Sequence, residues 1–223
     1  MKFTMFTKPP TSEIELLTRA KAIAGMTFQQ LAHAVGENAP INLLREKGWL
    51  GQLIEIHLGA SAGSKPEPDF QSLGIELKTL PVNQNGLPKE STFVCSVSLL
   101  TLSETIWETS LVRRKLSRVL WIPIEADPNI PIPERRIGSA ILWSPSLEQE
   151  LILKEDWQEL TDMMSLGQLE KITARLGTYL QIRPKAAHGK SLSWGIDEQG
   201  EKILTLPRGF YLRASFTRQV LSA

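Results

Sequence analysis

The chain has 223 residues, 42% of them hydrophobic and 22% charged, with a formal net charge of +1. This is the balance of a soluble chain long enough to bury one full core or to form a domain with two lobes. A single cysteine, Cys95, excludes an intrachain disulfide framework and a cysteine-based zinc site and fits a reducing cytoplasm, and no stretch approaches the roughly 18 apolar residues of a membrane span or the pattern of a signal peptide.

In chain order, Ser12-Glu13-Ile14-Glu15 predicts a capping box opening a helix with Ile14, Leu17 and Ala20 on one side and an end near Gly25. Thr27 with Gln30 opens a second helix that ends near Gly36. A third helical pattern over residues 43–58 buries Leu50, Leu53 and Ile54, with His57 packed in the core, while Gly48, Gln52, Glu55 and Gly59 share a small, polar face. Glu55 has two readings: an acid flanked by glycines that let another backbone approach, or an exposed glutamate on an amphipathic helix. Gly59, Ser61 and Gly63 match the serine-hydrolase elbow, with His188 following in the required order. The context excludes it, because a helix precedes where a strand is needed and Pro66 and Pro68 follow where a helix is needed. A phosphate-binding Walker loop fails as well, since Ser64 precedes Lys65 where glycine is required. The stretch reads as a flexible loop of small residues leading to Asp69.

Residues 73–80 alternate as a half-buried strand, with Leu73, Ile75 and Leu77 on one face and Glu76 and Lys78 on the other. Asn85-Gly86 signals a turn, and residues 91–97 are expected to return as the antiparallel partner. Pro68 favours an extended entry for Asp69, so that Asp69 can point back toward Glu76. Two carboxylates and a lysine so placed suit a single divalent metal. Mg²⁺ takes oxygen ligands, commonly one or two protein carboxylates, and leaves positions for phosphate oxygens and water. Lys78 could then orient a water or offset charge on a pentavalent phosphorus. The other reading is a surface strand with a neighbouring Glu and Lys and an unrelated Asp in a turn.

Residues 107–118 have helical periodicity and carry Arg113, Arg114, Lys115 and Arg118. Residues 119–124 predict a strand, a proline-rich connection runs to Pro133, and helices are expected from Gln149 to about Met164 and from Leu166 to Leu176. Residues 179–183 and 202–206 predict short strands, with residues 207–209 as a turn. Residues 183–223 hold seven Lys or Arg against three acids. Two basic patches on a nearly neutral chain suit a polyanion held in a groove; they suit ordinary solvated faces as well.

Pro68-Asp69 with Glu76-Leu77-Lys78 resembles the PD-(D/E)xK motif of the restriction-endonuclease superfamily. Seven blocks in order, at residues 47–51, 59–67, 73–78, 107–110, 118–123, 181–186 and 206–212, are similar to the MutH family of mismatch-repair endonucleases. The resemblance spans nearly the whole chain after about residue 11. It implies an α/β fold, a restriction-endonuclease-like mixed central sheet with flanking helices, in which two lobes form a DNA-binding cleft. The chain is then a single endonuclease domain, with a catalytic lobe over residues 1–165 and a basic DNA-reading lobe over 166–223.

The activity implied is Mg²⁺-dependent nicking, with Mn²⁺ as a substitute, of the unmethylated strand of hemimethylated GATC sites 5′ to the G. A cytoplasmic monomer is implied, activated by MutL, with MutS acting indirectly and no membrane involved. By position, Asp69 and Glu76 match the metal-binding acids, Lys78 the motif lysine, Glu55 the helix acid of the metal site and Lys115 a second catalytic lysine. Lys47, Arg183, Pro184, Lys185, Arg208 and Tyr211 match DNA-binding positions. Arg183 and Lys185 would donate to guanine O6 and N7, and Tyr211 would lie near adenine N6, where a methyl group clashes or removes a hydrogen bond.

Overall fold

A computed structural model describes residues 8–43, 46, 48–63, 65–173, 175–185 and 192–222. Its first elements are α1 (Glu13–Ile23), α2 (Phe28–His33), α3 (Trp49–Leu58), β1 (Glu76–Val82), β2 (Thr92–Ser96), α4 (Leu111–Leu116), β3 (Val119–Glu125) and β4 (Ile141–Trp143). Then come α5 (Leu147–Ser165), β5 (Leu180–Pro184), β6 (Ser193–Ile196), β7 (Lys202–Thr205), β8 (Arg208–Leu212) and α6 (Ala214–Leu221). The chain divides into two compact units, one of residues 1–89 and 117–144 and the other of residues 90–116 and 145–223. A boundary at 165/166 falls inside the second unit.

In the first unit, helix starts follow their local chemistry. Thr27 and Gln30 form the reciprocal capping box of α2. Ser12 caps α1 through the Glu15 amide, but the Glu15 carboxylate turns to the amide and hydroxyl of Thr11. The sheet order is β1-β3-β4, with β3 central: β1 runs parallel to it, Glu76 opposite Val119 and Lys78 opposite Trp121, and β4 pairs antiparallel on the other side. Leu77, Leu120, Ile122 and Ile124 pack with Leu16, Ala20, Phe28, Leu31, Leu53, Ile54 and Leu58 of the three helices into one core.

The expected hairpin from β1 to residues 91–97 does not form. The turn is present, held by the Asn83 side chain on the amides of Asn85 and Leu87, but pairing stops at one bridge between Val82 and Pro88. Pro88 has no N–H with which to extend a ladder. Val119, Leu120, Trp121 and Ile122 are buried on both faces of β3, the pattern of a central strand, and so β3 takes the place beside β1.

The second unit contains an antiparallel sheet of order β2-β8-β5 and a separate β6-β7 hairpin. Leu180, Ile182, Phe210 and Leu212 are buried, as are Trp157, Leu160 and Met164 of α5 and Phe216 and Val220 of α6. Among the described residues of 166–176 no α-helix is present, and a 3-10 turn, Leu169–Lys171, stands in its place. Gly167 has φ +72°, and a Cβ on it would stand 2.0 Å from the Asp197 carbonyl, so this glycine serves a close backbone crossing and not a helix. Arg208 likewise opens β8 instead of occupying a turn. Among the described residues, no helix is long and apolar enough to cross a membrane.

Candidate active site

The spacing from Asp69 to Glu76 is explained by the turn between them. Phe70 and Ile75 pair as an antiparallel bridge, and the chain reverses through Leu73 and Gly74, the latter at φ +66°. This doubles the chain back so that Asp69 Oδ2 accepts the Leu77 amide at 2.8 Å, beside the backbone joining Glu76 to Lys78. The small-residue loop serves the same end, because the amides of Ser61 and Ala62 both donate to the Asp69 carbonyl, at 2.9 and 3.3 Å. Gly59 is not a place of approach for a ligand: a Cβ there would lie 2.5 Å from the Lys8 carbonyl and 2.7 Å from Arg19 Nη1.

Glu76 and Lys78 share one face of β1, and Lys78 Nζ donates to Glu76 Oε1 at 2.7 Å. Their side chains are only 3% and 10% exposed. Burying a charged pair is costly unless each charge has its partner, so this ion pair on a rigid strand is a polarised site and a weak source of stability. Glu55 is half-buried on α3, in the same unit, and its carbonyl accepts the amides of Gly59 and Ala60 that end the helix. Among the described residues no three His, Cys, Asp or Glu side chains cluster as a ready-made metal cage. Two hard carboxylates on a fixed turn and strand, without sulfur or imidazole, suit a cation that keeps water and substrate oxygens in its shell. His57 is a packing residue, its Nε2 2.9 Å from the Leu31 carbonyl.

The basic run of 113–118 is divided. Arg113 pairs with Glu150 at 2.7 Å in the second unit, whereas Arg118 in the first grips Glu13 with Nε and Nη2 at 3.0 and 2.7 Å. The Arg118 guanidinium holds the Glu13 carboxyl below the usual carboxylate range through that hydrogen bond. Lys115 lies on α4 of the second unit. Lys47 and His188 fall outside the described residues.

The second unit assembles a separate cationic and aromatic face. Gln181 pairs with Tyr211 and Arg183 with Gly209 between β5 and β8, while Phe93 on β2 lies opposite Tyr211 on the other side. The Arg183 guanidinium is 5.7 Å from the Tyr211 ring centroid and donates to Ser91 Oγ at 2.6 Å. Lys185 Nζ lies 3.9 Å from the Phe93 ring centroid and donates to Ser96 Oγ at 3.0 Å. Partial desolvation of its ammonium against the Phe93 ring pushes Lys185 below the usual lysine range. Arg183, Pro184 and Lys185 are exposed, and among the described residues the two cations meet serine hydroxyls and aromatic rings, an arrangement suited to an anion.

Arg208 is placed differently. It alternates on β8 with buried Phe210 and Leu212, is 12% exposed and meets Glu170 at 3.3 Å, so it faces away from Tyr211. The sequence does not mark Phe93, Ser91 and Ser96 as site residues, because its pattern pairs residues 91–97 with β1, whereas β2 pairs with β8. The available signal was Phe93 itself, an aromatic on a short strand bounded by serines.

An α/β unit with a mixed sheet that carries Asp69 on a turn and Glu76 and Lys78 on the adjoining strand defines the restriction-endonuclease-like class. The model of a family described as "DNA mismatch repair enzyme MutH" matches residues 58–156, a span that includes this group and Lys115. The DNA mismatch repair protein MutH of Escherichia coli O6:K15:H31 (strain 536 / UPEC) is 57% identical over 214 residues, 96% of this chain and 93% of that protein. The same figures hold for the MutH of E. coli strain K12, and the MutH of E. coli O1:K1 / APEC is 56% identical over the same shares. The chain belongs to the MutH family of DNA mismatch repair enzymes.

Proposed function

We propose that the chain is a Mg²⁺-dependent endodeoxyribonuclease that nicks the unmethylated strand of hemimethylated GATC sites 5′ to the G, acting in the cytoplasm with MutL as activator and MutS upstream. The observation that carries the reading is the bond from the Leu77 amide to Asp69, which brings a second carboxylate to the buried Glu76–Lys78 pair. Asp69 and Glu76 would hold the cation, with Glu55 a further acid acting directly or through water. When bound, Mg²⁺ supplies polarisation of the phosphate and a more acidic water; Mn²⁺ can replace it.

The residues themselves have definable tasks. Lys78 has three N–H donors, one of which is engaged by Glu76, so the others can hold the attacking water or a non-bridging phosphate oxygen. As the water oxygen bonds to phosphorus and the scissile P–O bond breaks, the ammonium offsets charge gathering on the pentavalent centre. Lys115 enters this proposal on its sequence block alone. Arg183, Pro184 and Lys185, with Lys47, would position the duplex, and Tyr211 would test adenine N6 for a methyl group. Arg208 supports β8 from the opposite face.

The test is a strand-resolved nicking assay on unmethylated, hemimethylated and fully methylated GATC duplexes, with and without Mg²⁺ and MutL. Asp69→Ala should keep GATC binding while nicking falls by about a thousandfold or more. Undiminished cleavage by that variant sinks the assignment.

A further inference from the structure

Gly209 sits on β8 directly across from Arg183 and two residues before Tyr211. Its φ lies outside the left-handed region, so the backbone itself would accept any residue. The space above it would not. A Cβ there would stand 2.9 Å from Phe93 Cε2, 3.2 Å from Tyr211 Cε2 and 3.3 Å from the Cys95 carbonyl oxygen. Two aromatic rings therefore rest on a backbone with no side chain. Those rings also meet each other edge to face, their centroids 5.3 Å apart at 65°, and the Arg183 guanidinium approaches the Tyr211 ring. Phe93, Gly209 and Tyr211 make a closed set in which the glycine is the floor.

We infer that Gly209 is a positioning residue: the empty space at its Cα fixes the pose of the Tyr211 and Phe93 rings, and that pose sets the discrimination between methylated and unmethylated adenine. The inference rests on the reading of Tyr211 proposed above. A methyl group is distinguished from hydrogen over about an ångström, so a ring displaced by a few tenths of an ångström loses much of that contrast. Gly209→Ala adds one methyl under the rings and imposes no backbone strain. The neighbouring carbonyl of Cys95 belongs to the β2 strand, so the rings are the parts that must give.

The chain has two tyrosines, Tyr179 and Tyr211, which allows a direct readout. In protein labelled with 3-fluorotyrosine, Gly209→Ala should shift the ¹⁹F signal of Tyr211 and leave that of Tyr179, which is packed 4.2 Å from Phe216. The ratio of nicking rates on unmethylated and methylated GATC strands should fall by roughly fivefold or more, while the rate on saturating unmethylated duplex falls far less. In the Phe93→Leu background the same Gly209→Ala change should shift the Tyr211 signal far less, because the closest obstruction is gone. An unchanged strand ratio in a folded Gly209→Ala protein overturns the inference. So does a shift of both fluorine signals, which would mean a general disturbance. Should the single variant fail to fold, the double variant decides: a folded protein whose Tyr211 signal matches that of Phe93→Leu alone supports the crowding argument, and a second failure makes Gly209 a requirement of the fold alone. A wild type that shows no methyl discrimination would instead overturn the role of Tyr211 and leave the packing untouched.

Discussion

Lys78 donates to Glu76 at 2.7 Å from a side chain only 10% exposed. Lys78→Ala should therefore reduce nicking at saturating DNA by about a hundredfold or more while metal-supported binding changes little. If affinity fell and the saturated rate did not, the ammonium would be a phosphate contact. Lys185 offers a pH test. Burial disfavours its charged form, so its pKa lies below the ordinary 10.5. The cost of burying the charge is borne in full below the folded pKa and disappears as pH rises through it, so this residue favours the fold more at alkaline pH. DNA binding has the opposite sign, since it needs the ammonium. As pH rises toward the ordinary lysine range, metal-free binding should weaken in the wild type before it weakens in Lys185→Arg, whose guanidinium stays charged. Parallel curves would show that the charge of Lys185 takes no part. The chemistry of Asp69, Glu76 and Lys78 was readable in the sequence because donor type and strand alternation are local properties. The face of Arg208 was not readable, because it depends on where β8 begins, and Pro207 and Gly209 together imitate a turn.

Strands β5 and β8 are fastened at one end by a turn wrapped around a buried carboxylate. Asp156 of α5, 5% exposed, accepts the amides of Thr178, Tyr179 and Leu180 at 2.7, 2.5 and 2.8 Å. On the other side of the turn Arg213, just beyond β8, donates to the carbonyls of Gly177 and Leu176 at 2.9 and 2.6 Å. An acid thus takes the N–H groups of this turn and a guanidinium takes its carbonyls, which fixes where β5 starts and where β8 ends. Asp156→Ala leaves three donors without their acceptor and should lower unfolding stability by roughly 3 kcal/mol in a denaturant titration, with Asp156→Asn intermediate. A loss below about 1 kcal/mol would mean that water replaces the carboxylate without cost. Elements of this kind were partly legible. The helices α1 and α2 announced themselves through Ser12 and Thr27, and α5 through a Ser146–Gln149 capping box that moves its start to Leu147. Pairing of β1 with β3 was hidden, because the intervening residues 90–116 belong to the other unit and no local signal marks a departure and return.

At the scale of the molecule, the basic segment 183–223 is not a basic body. The first unit holds 12 Lys or Arg and 11 acids, and the second holds 13 of each, because α5 alone carries Glu148, Glu150, Glu155, Asp156, Glu159 and Asp162. A nearly neutral surface gives little long-range attraction for a duplex, so affinity must come from cations at fixed places, such as Arg183 and Lys185 against Ser91 and Ser96. Two charge reversals separate the possibilities. Lys185→Glu and Lys21→Glu change net charge equally, but Lys21 is an exposed residue of α1 in the first unit. In metal-free titrations of a GATC duplex, Lys185→Glu should weaken binding by about tenfold or more and flatten the dependence of log K on log salt by about one unit, whereas Lys21→Glu should stay within about twofold. Equal losses from the two variants would mean that net charge governs binding, and the reading face would lose its claim to hold the DNA. A loss confined to Lys185 would tie affinity to the same face that carries Tyr211, so that holding the duplex and testing its adenine would be tasks of one sheet.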